Sequence, residues 1–237
     1  MNPYSLQPES IRNLFNSIAP TYDFLNHLLS LGRDISWRRK AVRELDGHPG
    51  WMLDIATGTG DLAIEMISQG DPHRKVVGLD FSESMIRKAK EKLSKRNLSG
   101  RIGLGLGDAL FLPFRNNTFS GLMIAFGLRN IPQKKQALSE MVRVVRAGGK
   151  VVVLEFTLPQ KGLMKRIYPF YFKEILPRVG GWISGDRHAY AYLPDSVFQF
   201  RSAKDYEDLM KASGLKAVSS RSLTGGVVSI ITGIKKD

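Results

Sequence analysis

Residues 51–63, WMLDIATGTGDLA, constrain what this chain can fold into more than any other stretch. A short apolar run ends on Asp54, small residues with Gly58 and Gly60 follow, and Leu62, Ala63, Met66 and Ile67 then return at helical spacing. That is the pattern of a buried strand, a tight glycine turn and a helix start. Glycines let a backbone come close to a ligand, and a helix N-terminus presents free N–H groups to polar or anionic groups. A second apolar run, Val76 to Leu79, ends on Asp80. A carboxylate at that place is positioned to accept the hydroxyls of a bound ribose.

The alternation continues down the chain. Strands are expected near 51–55, 75–79, 101–106, 120–126 and 149–156, with helices near 61–69, 83–95 and 133–146. Strands separated by helices imply an α/β fold with a mostly parallel sheet and right-handed crossovers. Val151–Phe156 is the most hydrophobic strand and is expected to be central, while Gly148-Gly149 reads as the stop of the helix before it. A helix near 202–213 and an antiparallel pair near 215–222 and 226–235, joined across Thr224-Gly225-Gly226, complete a seven-stranded sheet.

Two segments stand outside this alternation. Residues 8–45 read as a helical cap: Ile11, Leu14, Phe15 and Ile18 fall on one helix face, Pro20 interrupts, and Ser36 is a candidate helix cap. Residues 157–195 form an insertion rich in aromatics and cations, expected either to cover the ligand edge of the sheet or to meet something apolar and anionic. The whole chain, 1–237, reads as one domain. Zero cysteines exclude disulfides, cysteine zinc sites and thiol nucleophiles, and fit a cytoplasmic protein. No run approaches the ~18 apolar residues of a spanning helix. The formal net charge of +13 leaves nucleic acid, an anionic membrane or plain solubility open. The cluster from Arg87 to Arg96 lies on an amphipathic helix and reads as a solvated face; Arg38, Arg39, Lys40 and Arg43 form another.

Gly58, Gly60 and Ala63 also satisfy a G-x-G-x-x-A dinucleotide fingerprint, and a glycine turn that merely packs is the bland alternative. Against a nicotinamide cofactor stand residues 1–50 before the first strand and a further acid, Gly107-Asp108-Ala109, after the third. Acids at these three places resemble the class I S-adenosylmethionine-dependent methyltransferases with their Rossmann-like sheet. The resemblance narrows with IRNLFNSIAPTYDFLNHLLSLGRDISWRR, DALFLPFRNNTFS, FGLRNIPQKKQALSEMVRVVRAGGKVVVLEFTLP, GDRHAYAYLPDSVFQF and LTGGVVSIITGIK. Together, from about residue 11 to 235, these resemble the ubiquinone/menaquinone-biosynthesis C-methyltransferases. Four positions depart from that pattern. Ala125 stands where serine is common, Ala147 and Arg201 where proline is, and Ile231 near a frequent histidine.

The resemblance implies S-adenosyl-L-methionine as methyl donor and a demethylated prenyl quinol as acceptor, with either a benzoquinol or a naphthoquinol head. Asp54, Gly58, Thr59 and Gly60 are then expected at the methionine and ribose end, and Asp80 at the ribose hydroxyls. Met85, Asp108 and Ala109 fall to the adenine, with Ala125 beside the cofactor. A quinol carbon becomes nucleophilic when a ring hydroxyl loses its proton, so a cation beside that oxygen assists. Arg129, just beyond the fourth strand, is the candidate cation; Asn130 and Tyr22 are implied to hold a water that takes the proton. His188 is a secondary candidate base, and His27, His48 and His73 show no metal-ligand spacing, so no metal is expected. Peripheral contact with an anionic membrane is expected, a homodimer is left open, and no specific nucleic-acid partner is expected. The alternatives are a methyltransferase acting on RNA or another small molecule, and a non-catalytic cofactor-binding subunit.

Overall fold

The computed structural model describes residues 7–69, 72–160, 162–171, 174 and 202–236. Three helices open the chain: α1 (Pro8–Ile18), α2 (Tyr22–Leu29) and α3 (Arg33–Val42). The alternating core follows: β1 (Trp51–Ile55), α4 (Asp61–Gln69), β2 (Lys75–Asp80), α5 (Glu83–Lys95), β3 (Ile102–Leu106), β4 (Phe119–Ala125), α6 (Lys134–Val144) and β5 (Val145–Phe156). Then come α7 (Met164–Phe170), α8 (Ala203–Ala212), β6 (Leu215–Leu223) and β7 (Val228–Lys235).

The seven strands form one sheet in the order β3-β2-β1-β4-β5-β7-β6. The first five run parallel, while β7 pairs antiparallel with both β5 and β6. This is a Rossmann-like α/β sheet. The chain builds outward from β1 to β3, then returns to place β4 on β1's other edge. The strand order therefore reverses between β1 and β4, and the crevice at their carboxyl ends is where open α/β sheets take ligands.

Side chains alternate between two buried faces, as a covered parallel sheet requires. Met52, Met123, Val152 and Leu154 pack with Leu25, Trp37, Ala41 and Leu62 on one face. Leu53, Ile55, Leu122, Ile124 and Val153 pack with Leu138, Met141, Tyr206 and Met210 on the other. The N-terminal helices thus belong to the core as well as to the site.

Three local expectations change. Gly148-Gly149 does not stop α6: Val145 already leaves it with extended backbone (ψ 138°) and pairs with Phe119. The glycines instead sit within β5, where its register on β4 shifts between Phe119 and Gly121. Gly148 takes φ +70°, and a Cβ on Gly149 would lie 2.8 Å from the carbonyls of Arg146 and Ser120. The middle strand is β4 rather than β5. Ser36 lies inside α3, whose N-cap is Gly32 at φ 70°. The expected cover at 157–195 is represented by α7 and its flanks; His188, Arg201 and GDRHAYAYLPDSVFQF lie outside the described residues.

Candidate active site

The site begins with two backbone turns. Ala56 (φ 53°) follows β1 and Phe126 (φ 56°) follows β4, both left-handed without being glycine. Such conformations cost free energy and persist where surrounding structure fixes them. The two turns touch: a Cβ on Gly127 would lie 2.7 Å from that of Ala56. Only glycine fits there, and the contact brings the ends of β1 and β4 together.

Two cavities open above these turns. The first, about 110 Å³, runs along the ends of β1, β2 and β4 and is lined by Gly58, Asp80, Met85, Asp108, Ala109 and Ala125. Pro8, Ile11 and Phe15 of α1 form its roof. The second, about 370 Å³, lies between α2, α3, α7 and the loop after β4, and most of its wall is apolar. Phe15, Tyr22, Phe126 and Asn130 line both cavities. Two molecules bound side by side would meet at that shared wall.

The acids of the first cavity have distinct settings. Asp80 is 6% exposed; its Oδ2 accepts the Gly58 N–H (2.8 Å) and its Oδ1 the Ser82 N–H (2.9 Å). Burial pushes its pKa up to about 6, against the pull of those N–H groups. Asp108 accepts the Leu110 N–H at 2.9 Å, which shapes the turn after β3. Ser82 caps α5 by accepting the Met85 N–H, which sets Met85 against the cavity.

Asp54, Thr59 and Gly60 line neither cavity. Asp54 is fully buried, its Oδ2 accepts the Thr57 hydroxyl at 2.6 Å, and its Oδ1 has no hydrogen-bond partner. Burial raises its pKa to about 7. The Thr59 hydroxyl donates to Asp23 and accepts from Lys92, whose ammonium also bridges Asp23 and Asp61 at 2.6 Å. Gly60, at φ +86°, sits against Ala89 of α5. These residues build the glycine turn and fasten α2 to it.

Arg129 reaches the second cavity but is already engaged. Its Nη1 lies 2.7 Å from Glu155 Oε1 and also donates to the Phe126 carbonyl, while its backbone N–H donates to Glu155 Oε2 at 3.2 Å. Burial disfavours the charge, but Glu155 foremost, with Tyr22 and Tyr206, holds its pKa above the ordinary arginine value. The guanidinium stacks over Phe156 at 5.4 Å. The Asn130 amide donates to the Phe126 carbonyl at 3.4 Å. Burial raises the pKa of Tyr22, with Arg129 pulling the other way.

The sequence pattern of the ubiE/COQ5 methyltransferase family matches residues 4–235. The chain belongs to that family. It is 45% identical over 228 residues to the ubiquinone/menaquinone biosynthesis C-methyltransferase UbiE of Geobacter sulfurreducens, covering 96% of this chain and 89% of the relative. It is 38% identical to the demethylmenaquinone methyltransferase of Bacteroides fragilis, over 99% and 97% of the two chains. The solved structure of a SAM-dependent methyltransferase from Thermotoga maritima shares the fold, with a TM-score of 0.67, 18% identity and coverage of 94% and 100%.

Several residues of this ubiE/COQ5 chain hold the candidate site together although no sequence motif singles them out. Glu155 sits inside a hydrophobic strand and is fully buried; an acid in VVVLEF is itself the signal that a cation waits opposite. Asn16 Oδ1 accepts the Ser82 hydroxyl at 2.7 Å and the Ser84 N–H at 3.4 Å, tying α1 to the start of α5. Arg38, grouped above with surface cations, is 9% exposed and bonded to Asp34 at 2.5 Å, and both line the second cavity.

Proposed function

We propose that this chain uses S-adenosylmethionine to methylate a ring carbon of a demethylated prenyl quinol in menaquinone or ubiquinone biosynthesis. Its family and the names of its relatives support the reaction. The observation that carries it is the pair of cavities meeting at Phe15, Tyr22, Phe126 and Asn130. One has the acids and small residues suited to an adenosine, and the other has the apolar walls suited to a prenylated ring. Those walls favour a quinol over RNA as acceptor.

The first cavity fits the donor in several respects. Asp80 would take the ribose hydroxyls, Met85 and Ala109 the faces of the adenine, and Asp108 its edge. Gly58 and Ala125 leave room at the backbone. When bound, the donor supplies an activated methyl group. In the second cavity Arg129, backed by the buried Glu155, presents a partly neutralised cation to the ring oxygen rather than a bare positive charge, and Tyr22 and Asn130 would hold a water beside it.

The test is incubation with labelled donor and a panel of short-tailed benzoquinols and naphthoquinols, reduced beforehand, with mass analysis of the products. A methyl group on the ring carbon is expected. Donor consumed with no methylated quinol, or none consumed, would overturn the reading.

A further inference from the structure

Replacing a ring C–H by C–CH3 forms a C–C bond and breaks the donor's C–S bond, whose electron pair stays on sulfur. The displaced hydrogen leaves as a proton. Each turnover therefore sets one proton free inside a cavity walled mostly by apolar and aromatic side chains. Among the described residues on that wall, the arginines Arg33, Arg38 and Arg129 do not give up their charge, and amide and hydroxyl groups are poor proton acceptors. Asp34 is the carboxylate among them.

Asp34 does not stand alone. Its Oδ2 lies 2.8 Å from His27 Nδ1 and 2.5 Å from Arg38 Nη1, and its Oδ1 accepts the Ser30 hydroxyl at 2.7 Å. The Asp34 side chain is 4% exposed and that of His27 40%. The pair spans the distance from the cavity wall to solvent. Arg38 is also held by Asp61 of α4 at 3.9 Å, so a guanidinium with two acidic neighbours backs the carboxylate.

We propose that Asp34 and His27 form the exit for the proton that C-methylation sets free, the carboxylate receiving it at the cavity wall and the imidazole handing it to water. This rests on the reaction given under Proposed function. Burial alone would raise the Asp34 pKa, but Arg38, with Ser30 and His27, brings it below the ordinary carboxylate value. The carboxylate therefore returns to its ionised form after each transfer. The ring starts as the Nε2–H tautomer: a proton on Oδ2 passes to Nδ1, Nε2 releases one to water, and proton exchange of the exposed ring with water restores the starting tautomer, so the pair ends each cycle unchanged. Arg33 and Arg38 of α3, Tyr22 of α2, Arg129, and Tyr168 and Tyr171 at α7 are the other charged or titratable described groups on this wall.

The test compares wild type, His27→Ala, His27→Gln and Asp34→Asn in the full chain with a reduced short-tailed quinol. Donor affinity by calorimetry and thermal melting accompany each rate. His27→Ala is expected to lower kcat toward the ~10²-fold that a positioned proton carrier contributes, with donor affinity kept. Added imidazole should restore it in proportion to concentration, and the pH–rate profile should change shape. His27→Gln keeps a hydrogen bond to Asp34 but carries no proton, so it should melt like wild type and turn over as slowly as His27→Ala. An unchanged kcat in His27→Gln, or a loss that imidazole leaves untouched with an unmoved pH profile, would overturn the proposal while leaving the methylation reading in place. Absence of wild-type turnover would remove both.

Discussion

Asp80 is held in two opposing ways: burial disfavours its charge, and the N–H groups of Gly58 and Ser82 favour it. With a folded pKa of about 6 against 3.8, it binds more protons in the native than in the unfolded state across that window. Its contribution to stability is therefore fully present below 3.8 and lost as pH rises through 6. With Asp80 as the proposed ribose acceptor, donor binding runs the other way, because ribose hydroxyls need the ionised carboxylate. Calorimetry should show affinity for S-adenosylmethionine falling by about tenfold for each pH unit below the folded pKa. Asp80→Asn should bind weakly at every pH and lose that slope; a slope that survives would remove the assignment. Arg129 poses a different question, since Arg129→Ala leaves Glu155 buried and unpaired. Loss of one partner of such a pair costs about 3–5 kcal/mol. The double variant Arg129→Met/Glu155→Gln should recover most of the melting temperature yet remain slow in turnover. Recovery of both would make the pair structural only.

At the scale of elements, α1 roofs the first cavity through Pro8, Ile11 and Phe15, while Asn16 ties it to Ser82 and Ser84. Pro8, Ile11 and Phe15 share that cavity with Asp80, so under the proposed donor site binding and the seating of α1 are linked. Hydrogen exchange across residues 8–18 should slow when the donor binds, and Asn16→Ala should weaken donor binding and reduce that protection. Equal exchange with and without donor would show α1 to be indifferent. The β1 and β4 turns form a second such unit. Gly127→Ala places a methyl 2.7 Å from Ala56 Cβ and 3.2 Å from Ile124, inside a packed contact. Overpacking of this kind costs about 1–3 kcal/mol, read as a lower melting temperature. Turnover should fall further than stability, because both strand ends carry the shared wall.

Across the whole molecule, a net charge of +13 accompanies several exposed apolar side chains. Phe24, Leu28, Leu31 and Ile35 near α2 and α3, and Leu163, Ile167 and Phe170 at α7, are exposed. Leu31 and Ile167 also line the second cavity, so the apolar surface continues into the acceptor site. No helix among the described residues is long and apolar enough to cross a membrane. We propose that this face, with Arg33, Lys165 and Arg166 around it, rests on an anionic bilayer from which the quinol enters. Each cation near such a surface contributes about 1 kcal/mol, screened by salt. Sedimentation with vesicles should rise with their anionic lipid content and fall with added salt, and Leu31→Asp should weaken it. Equal sedimentation with neutral and anionic vesicles would count against the contact.

Much of this was legible in the sequence because period, glycine turns and acids at strand ends are local signals. The strands of the sheet, the antiparallel close of β7, the glycine turn and the acids Asp80 and Asp108 all announce themselves within a few residues. Gly148-Gly149 read wrongly because a bulge inside a strand and a helix stop use the same residues, and only pairing with β4 distinguishes them. Asp54, Thr59 and Gly60, expected at the methionine and ribose end, line neither cavity. Asp54 is bonded to Thr57 within the turn, and the partners packed against the other two, Asp23, Lys92 and Ala89, come from outside the local sequence pattern. The pairing of Arg129 with Glu155 and of Asp34 with His27 and Arg38, and the wall shared by two cavities, join residues from separate elements. The sequence by itself determined the class of fold and the chemistry within reach. Only the tertiary structure decided which charges are buried together, because burial and partnership belong to the packed whole and not to any stretch of chain.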